Sequence, residues 1–283
     1  MVTIRKMEQG SRTYYYLEYP VKVNGRVRKY SRYIGKDIPE DIDHLKRQFQ
    51  LEIIENRWEP LSLHARGVMI GRTDGMSREK IDQFYHETAL HFTASTLKLA
   101  GSRLTELELK RLLDDKVTPG WRDTDDVKLA VVHYGIAKDV LLNNPELSLD
   151  LLAEWHWKLY REIKPSLAGV ITAVHGSEAE HSGFDSVYRE YREKFGGLML
   201  AGLIHFVLFK MPQFQDGNGI IARLAMNCVL HASGFPILDI DYSERKRYEN
   251  ALERSLKFND ETEFLKWFFL KYKRKIAKFE SPT

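Results

Sequence analysis

Cysteine is nearly absent: Cys228 is the only one in 283 residues, which excludes an intrachain disulfide and a multi-cysteine zinc centre. So little thiol suits a reducing compartment, and the expected location is cytoplasmic. Long apolar runs are missing as well. The most apolar segment, FGGLMLAGLIHFVLF from Phe195 to Phe209, is shorter than the roughly 20 residues a membrane-spanning helix needs. It reads as a buried helix, and no membrane partner is expected. The N-terminus, MVTIRKMEQGSRTYYYLEY, has no apolar core of signal-peptide length. Charge of one sign is scarce too, since a net +3 does not call for a polyanionic partner of the whole chain. No internal repeat and no low-complexity tract is present. Hydrophobic residues at 43% and charged residues at 29% are those of an ordinary globular chain long enough to bury a full core.

Three segments organise the chain. Residues 1–40 favour strands, with TYYYLEY, VKV and RVRKYSRYIG separated by turn residues, so a small β-meander is expected. The pair Asn24-Gly25 suits a type I′ hairpin turn, whose two central positions need positive φ. Between residues 5 and 36 stand nine Lys or Arg (Arg5, Lys6, Arg12, Lys22, Arg26, Arg28, Lys29, Arg32, Lys36) against Glu8 and Glu18, interleaved with tyrosines. Such a ribbon either tracks a nucleic-acid backbone and stacks bases, or is a half-buried edge hairpin whose cations keep strands from associating.

From IPEDIDHLKRQF onward the periodicity turns helical. Residues 41–76 read as a helical connection and 77–283 as a helical domain. Ser77 is a candidate N-cap, with Ile81, Phe84, Tyr85 and Thr88 on one face behind it. The capping box is incomplete because Lys80 stands where a Glu or Gln would reach back. Further helices are expected over LTELELKRLL, TDDVKLAVVHYGIAKDVLL, SLDLLAEWHWKLYREI, the Phe195–Phe209 run, IIARLAMNCVLHASG and SERKRYENALERSLKF. Residues 167 to 187, LAGVITAVHGSEAEHSGFDSV, interrupt them as a loop or hairpin.

The stretch that carries chemistry is MPQFQDGNGIIAR, residues 211 to 223. Glycines let successive backbone N–H groups converge on one anion, and a helix beginning near Ile220 adds its positive end. Gly217, Asn218 and Gly219 would then cradle phosphate, Asp216 would offer a hard oxygen to Mg²⁺, and Arg223 would reach a more distal phosphate. The alternative is a helix-entry turn whose residues were chosen for their φ angles.

The region HFVLFKMPQFQDGNGIIARLAMNCVLHASGFP, His205 to Pro236, resembles the signature of the Fic (Fido) family, H-P-F-x-[D/E]-G-N-G-R-x-x-R. The match holds at Phe214 and from Asp216 to Gly219, and again at Arg223. Tyr248, Ala251 and Leu252 resemble the helix that follows the motif. The resemblance spans roughly residues 77 to 275. It implies a mainly α Fic-fold bundle with a flap hairpin, preceded here by a small β-rich domain. It also implies ATP with Mg²⁺ as ligands, AMP transfer to a protein hydroxyl as the family chemistry, and a protein target docked at the 167–187 flap.

Three positions depart from the family pattern. Pro212 fills the place of the catalytic His, or Met211 does if Gln213 is an insertion, so neither register supplies a base. A positioned base contributes about 10² to 10⁴-fold in rate. Ile220 replaces the first Arg. Ala100, before Gly101 in TLKLAGSRLT, replaces the Glu of the helix that restrains many members. The expectation is a degenerate Fic protein that keeps a nucleotide or phosphate site (Gly217, Asn218, Gly219, Arg223, with Asp216 for the metal) while AMP transfer is lost or very weak. Two alternatives stand beside it. One is a transferase using His175 or His181 as an unusual base; the other is a non-enzymatic module binding nucleic acid or protein through the N-terminal hairpin.

Overall fold

The structure is a computed structural model that describes residues 2–23, 25–172 and 183–280. Alternating side chains in the first segment form an antiparallel meander of β1 (Thr3–Gln9), β2 (Arg12–Val23) and β3 (Arg26–Gly35), in the order β1-β2-β3. Gly25 takes φ +80° at the β2–β3 turn, as the hairpin signal requires. Its neighbour Asn24 lies outside the described residues.

Leu17 stands opposite Ile4 on one side and Arg32 on the other. This register puts Val2, Leu17, Tyr19, Tyr30 and Ile34 on one face, where they meet Phe49 and Ile53. Both of those lie on α1 (Ile42–Thr73), a 32-residue helix that contains Pro60. Compact structure divides at that proline into unit 1, residues 1–60, and unit 2, residues 61–283. The 41–76 connection is therefore essentially one helix shared between the units.

Unit 2 is helical: α2 (Arg78–Leu99), α3 (Glu106–Asp114), α4 (Thr124–Asn143), α5 (Leu149–Tyr160), α6 (Gly183–Lys194), α7 (Gly197–Lys210), α8 (Asn218–Ala232), α9 (Arg245–Phe258) and α10 (Thr262–Glu280). Ser77 caps α2, accepting from the Lys80 N–H without a reciprocal box. The central pair is α7 and α8, buried along nearly their whole lengths. Gly197 opens α7 against the residue that ends α8, since a Cβ there would fall 2.1 Å from Ser233 Oγ. The pair thus runs antiparallel. The 211–217 turn joining them emerges at one end of the bundle.

Two helices exceed the sequence expectations. The loop assigned to 167–187 overlaps α6, because the chain is already helical from Gly183. The reason is local: Phe184 and Tyr191, seven residues apart, anchor one face of a segment that is otherwise polar. α10 buries Phe264, Phe268, Tyr272 and Ile276 at four-residue spacing. His175 and His181, the candidate stand-in bases, lie outside the described residues. Among those residues no helix is long and apolar enough to cross a membrane.

Candidate functional site

The turn before α8 is held by its own side chains. Asn218 Oδ1 accepts from the Phe214 N–H at 3.0 Å while its Nδ2 donates to the Phe214 carbonyl at 2.5 Å. That closes residues 214–218 into a clamp and commits the Asn218 side chain to it. Gly217 has φ +75°, and a Cβ added there would lie 2.6 Å from the Tyr160 ring. Glycine is required at this position both by conformation and by contact. The Gly217 N–H donates to Asp216 Oδ1 at 2.7 Å. Among the described residues the N–H groups of Asn218 and Gly219 meet no acceptor, which leaves two donors at the positive end of α8.

These residues open on a cleft of about 490 Å³, into whose wall the fold brings Asp216, Gly217, Gly219, Ile220 and Arg223. Asn218 is absent from that lining because its side chain faces the loop. Pro212 and Met211 do not reach the cleft either, and among the described residues no histidine lines it. No described histidine replaces the missing one there, while the carboxylates of Asp123, Asp125, Asp126 and Glu249 line the same cleft. Ile220 is buried, so the position of the first Arg presents hydrocarbon.

Arg223 is 5% exposed. Its Nη2 donates to the Thr96 carbonyl at 3.2 Å, in the last turn of α2, where the helix dipole is negative. The Tyr248 phenol lines the cleft beside Arg223. His205 Nε2 accepts the Tyr248 hydroxyl at 2.8 Å and His205 Nδ1 donates to the Ala222 carbonyl at 3.1 Å, so a neutral imidazole ends the relay. Burial pushes His205 down to about 3 and Tyr248 up to about 12, and it also lowers the Arg223 guanidinium from its ordinary value. Among the described residues no carboxylate pairs with Arg223, and its Nε has no partner. Ala100, with no charge to offer, lines the same cleft.

Asp216 sits on the other side, about half exposed. Its Oδ2 takes the Lys164 ammonium at 2.5 Å, and that bond, more than any other influence, holds its carboxyl below the usual carboxylate range. An ionised carboxylate at the cleft mouth fits a hard divalent cation through a spare lone pair, but such a cation would have to compete with Lys164.

His156 anchors the backbone behind Asp216. Its Nε2 donates to the Asp216 carbonyl at 3.1 Å, its Nδ1 accepts from the Gly169 N–H at 3.0 Å, and its ring stacks on Phe214 at 4.1 Å. Both nitrogens are used by a neutral ring, and burial lowers its pKa. It ties the motif turn to the chain entering the 167–187 segment. A second tie is the Gln213 carbonyl, which accepts from the Thr172 N–H at 2.9 Å.

His156, Tyr160 and Lys164 were not singled out from the sequence. Their signal is a polar stripe at four-residue spacing along the end of α5 and the turn after it, where the Lys164 N–H bonds the Tyr160 carbonyl.

No family model matches the chain. Curated proteins named protein adenylyltransferase Fic do: one from Nematostella vectensis is 40% identical over 55 residues, 19% of this chain and 13% of that protein. Another from Culex quinquefasciatus is 23% identical over 226 residues, covering 75% of this chain and 44% of that one. One from Drosophila erecta is 21% identical over 254 residues, covering 85% and 49%. The chain thus spans half or less of the length of these relatives.

Among solved structures, a Fic-1 fragment from C. elegans superimposes with TM-score 0.67 at 16% identity, covering 86% of this chain and 78% of that one. A Fic domain containing signaling protein from Bacteroides thetaiotaomicron gives TM-score 0.62 at 20% identity, covering 81% and 94%. The chain has the Fic fold: a helical bundle with the glycine turn between its two central helices, here accompanied by a small antiparallel sheet.

Proposed function

We propose that this is a degenerate Fic protein whose cleft binds the phosphate tail of a nucleotide, ATP in the first instance, and that AMP transfer to protein hydroxyls is lost or very weak. One observation carries the reading. Arg223 is a buried guanidinium at a cleft wall with no carboxylate partner among the described residues and with an unbonded Nε. Burying a cation without a counterion is costly, and a phosphate entering the cleft relieves that cost. The two unpaired N–H groups of Asn218 and Gly219 add donors for the same anion. Asp216 is the residue that would hold Mg²⁺, which when bound would neutralise phosphate charge.

The loss of transfer rests on chemistry missing from the cleft. Pro212 has no proton-accepting group, Ile220 cannot neutralise a phosphate, and no described histidine is available to take a hydroxyl proton. Ala100 belongs to the same pattern, since a site that does not transfer needs no restraining carboxylate.

Calorimetric titration with ATP and Mg²⁺ tests the binding, repeated on Arg223→Ala and Asp216→Ala with folding checked by circular dichroism. Both substitutions should weaken binding. Absence of binding by the parent protein at millimolar ATP would sink the proposal. Transfer of label from α-labelled ATP to any protein, the chain itself included, would overturn the loss of activity.

A further inference from the structure

Unit 1 has two unequal faces. Strand register places Leu17 and its neighbours toward α1, and by alternation it places Arg5, Met7, Arg12, Tyr14, Tyr16, Lys22, Lys29 and Tyr33 on the opposite face. On that second face three phenol rings gather. Tyr33 lies 5.3 Å from Tyr16 and 6.2 Å from Tyr14, and Tyr33 is 50% exposed. Tyr14 and Tyr16 are half-buried beside it, so the cluster presents Tyr33 as its open ring, and the core of this unit lies on the other side.

Charge along this sheet is one-sided. Arg5 is neutralised by Glu18, Lys6 by Glu8 and Arg32 by Glu52. Arg12, Lys22, Arg26, Arg28, Lys29 and Lys36 form no ion pair among the described residues. Four of these six, Lys22, Arg26, Arg28 and Lys29, stand at the β2–β3 end of the sheet, and the register puts Lys22 and Lys29 on the tyrosine face and Arg26 and Arg28 on the other. Such cations repel one another unless an anion is shared between them.

We infer that this face binds single-stranded nucleic acid, with Arg12, Lys22 and Lys29 on the phosphates and the tyrosine cluster, Tyr33 foremost, stacking on a base. The charges demand a polyanion, and the rings choose among polyanions. Stacking needs a base whose face is free, which a single strand offers and an intact duplex does not. An acidic protein would satisfy the cations but would leave the phenol rings without a planar partner. The residues of this face belong to unit 1 and those of the cleft to unit 2, so either reading stands or falls without the other.

The test is fluorescence anisotropy of the full chain with a labelled 12-nucleotide single strand, from low to moderate salt. Engaging three phosphates gives a slope of log K against log salt of about −2. The double variant Lys22→Ala/Lys29→Ala should flatten that slope by about 1.4. Tyr33→Ala should weaken binding about tenfold at unchanged slope, while Tyr33→Phe, which keeps the ring, should bind like the parent. Circular dichroism confirms that each variant is folded. The inference is overturned if no binding is seen at 50 mM salt. It is equally overturned if a duplex of the same sequence or heparin competes as well as the single strand, or if Tyr33→Ala binds unchanged.

Discussion

His133 and His205 are each completely enclosed in the helical bundle, and burial drives both down to about 3 in the folded protein. An unfolded chain returns them to the ordinary value near 6.5. A histidine depressed in this way contributes stability that is intact above pH 6.5 and is lost as pH falls toward the folded value, because the unfolded state then binds the extra proton. Between pH 7 and pH 5 each unfolded imidazole goes from about a quarter protonated to almost fully protonated. Integrated over that interval, the loss is about 2 kcal/mol for each residue, or about 4 kcal/mol together. His156 and His231, also lowered by burial, act in the same direction.

His91 opposes them. Its bond to Asp239 raises it to about 9, so its contribution is complete below 6.5 and is lost as pH rises through 9. It is 44% exposed, and solvent screening keeps its offset below about 1 kcal/mol. Set against a typical domain stability of about 5–15 kcal/mol, the net loss is large. Urea unfolding at pH 7 and pH 5, at equal ionic strength, measures it directly. Stability that is equal within about 1 kcal/mol, or greater at pH 5, would refute the reasoning. It would mean that the two imidazoles are not held neutral by burial.

Gly217→Ala forces a side chain onto φ +75° and against Tyr160; it should cost about 1–3 kcal/mol in thermal melts. ATP binding should fall with it, and a variant as stable as the parent would contradict the packing. Lys164→Met should change stability by no more than about 1 kcal/mol, since the pair with Asp216 is about half exposed. It should let the Asp216 carboxyl rise toward its usual range and make ATP binding respond more strongly to Mg²⁺. An identical Mg²⁺ response in calorimetry would show that Lys164 does not compete with the metal. Ala100→Glu places a carboxylate on the cleft shared with Arg223 and should weaken ATP binding at least about tenfold. Unchanged affinity would mean that Arg223 is not the phosphate ligand.

The sequence by itself determined the local pieces. Alternation gave the three strands, Ser77 and the four-residue apolar spacing gave α2, and an all-apolar run gave the buried α7. The D-G-N-G turn with Arg223 one helical turn later carried the family resemblance, and Pro212, Ile220 and Ala100 carried the departures. These features depend on neighbours in the chain, whose spacing fixes which face of an element they share. Tertiary structure alone decided what the motif residues touch. It turned the Asn218 side chain into the loop, set Lys164 on Asp216 and used His156 to join the turn to Gly169. It also left Arg223 buried with only Thr96 and the Tyr248–His205 relay behind it. Apart from the local Asn218–Phe214 clamp, these partners lie 13 to 127 residues apart in the chain. No local pattern encodes such distances, because they arise only when α2, α5, α7 and α9 close around the end of α8.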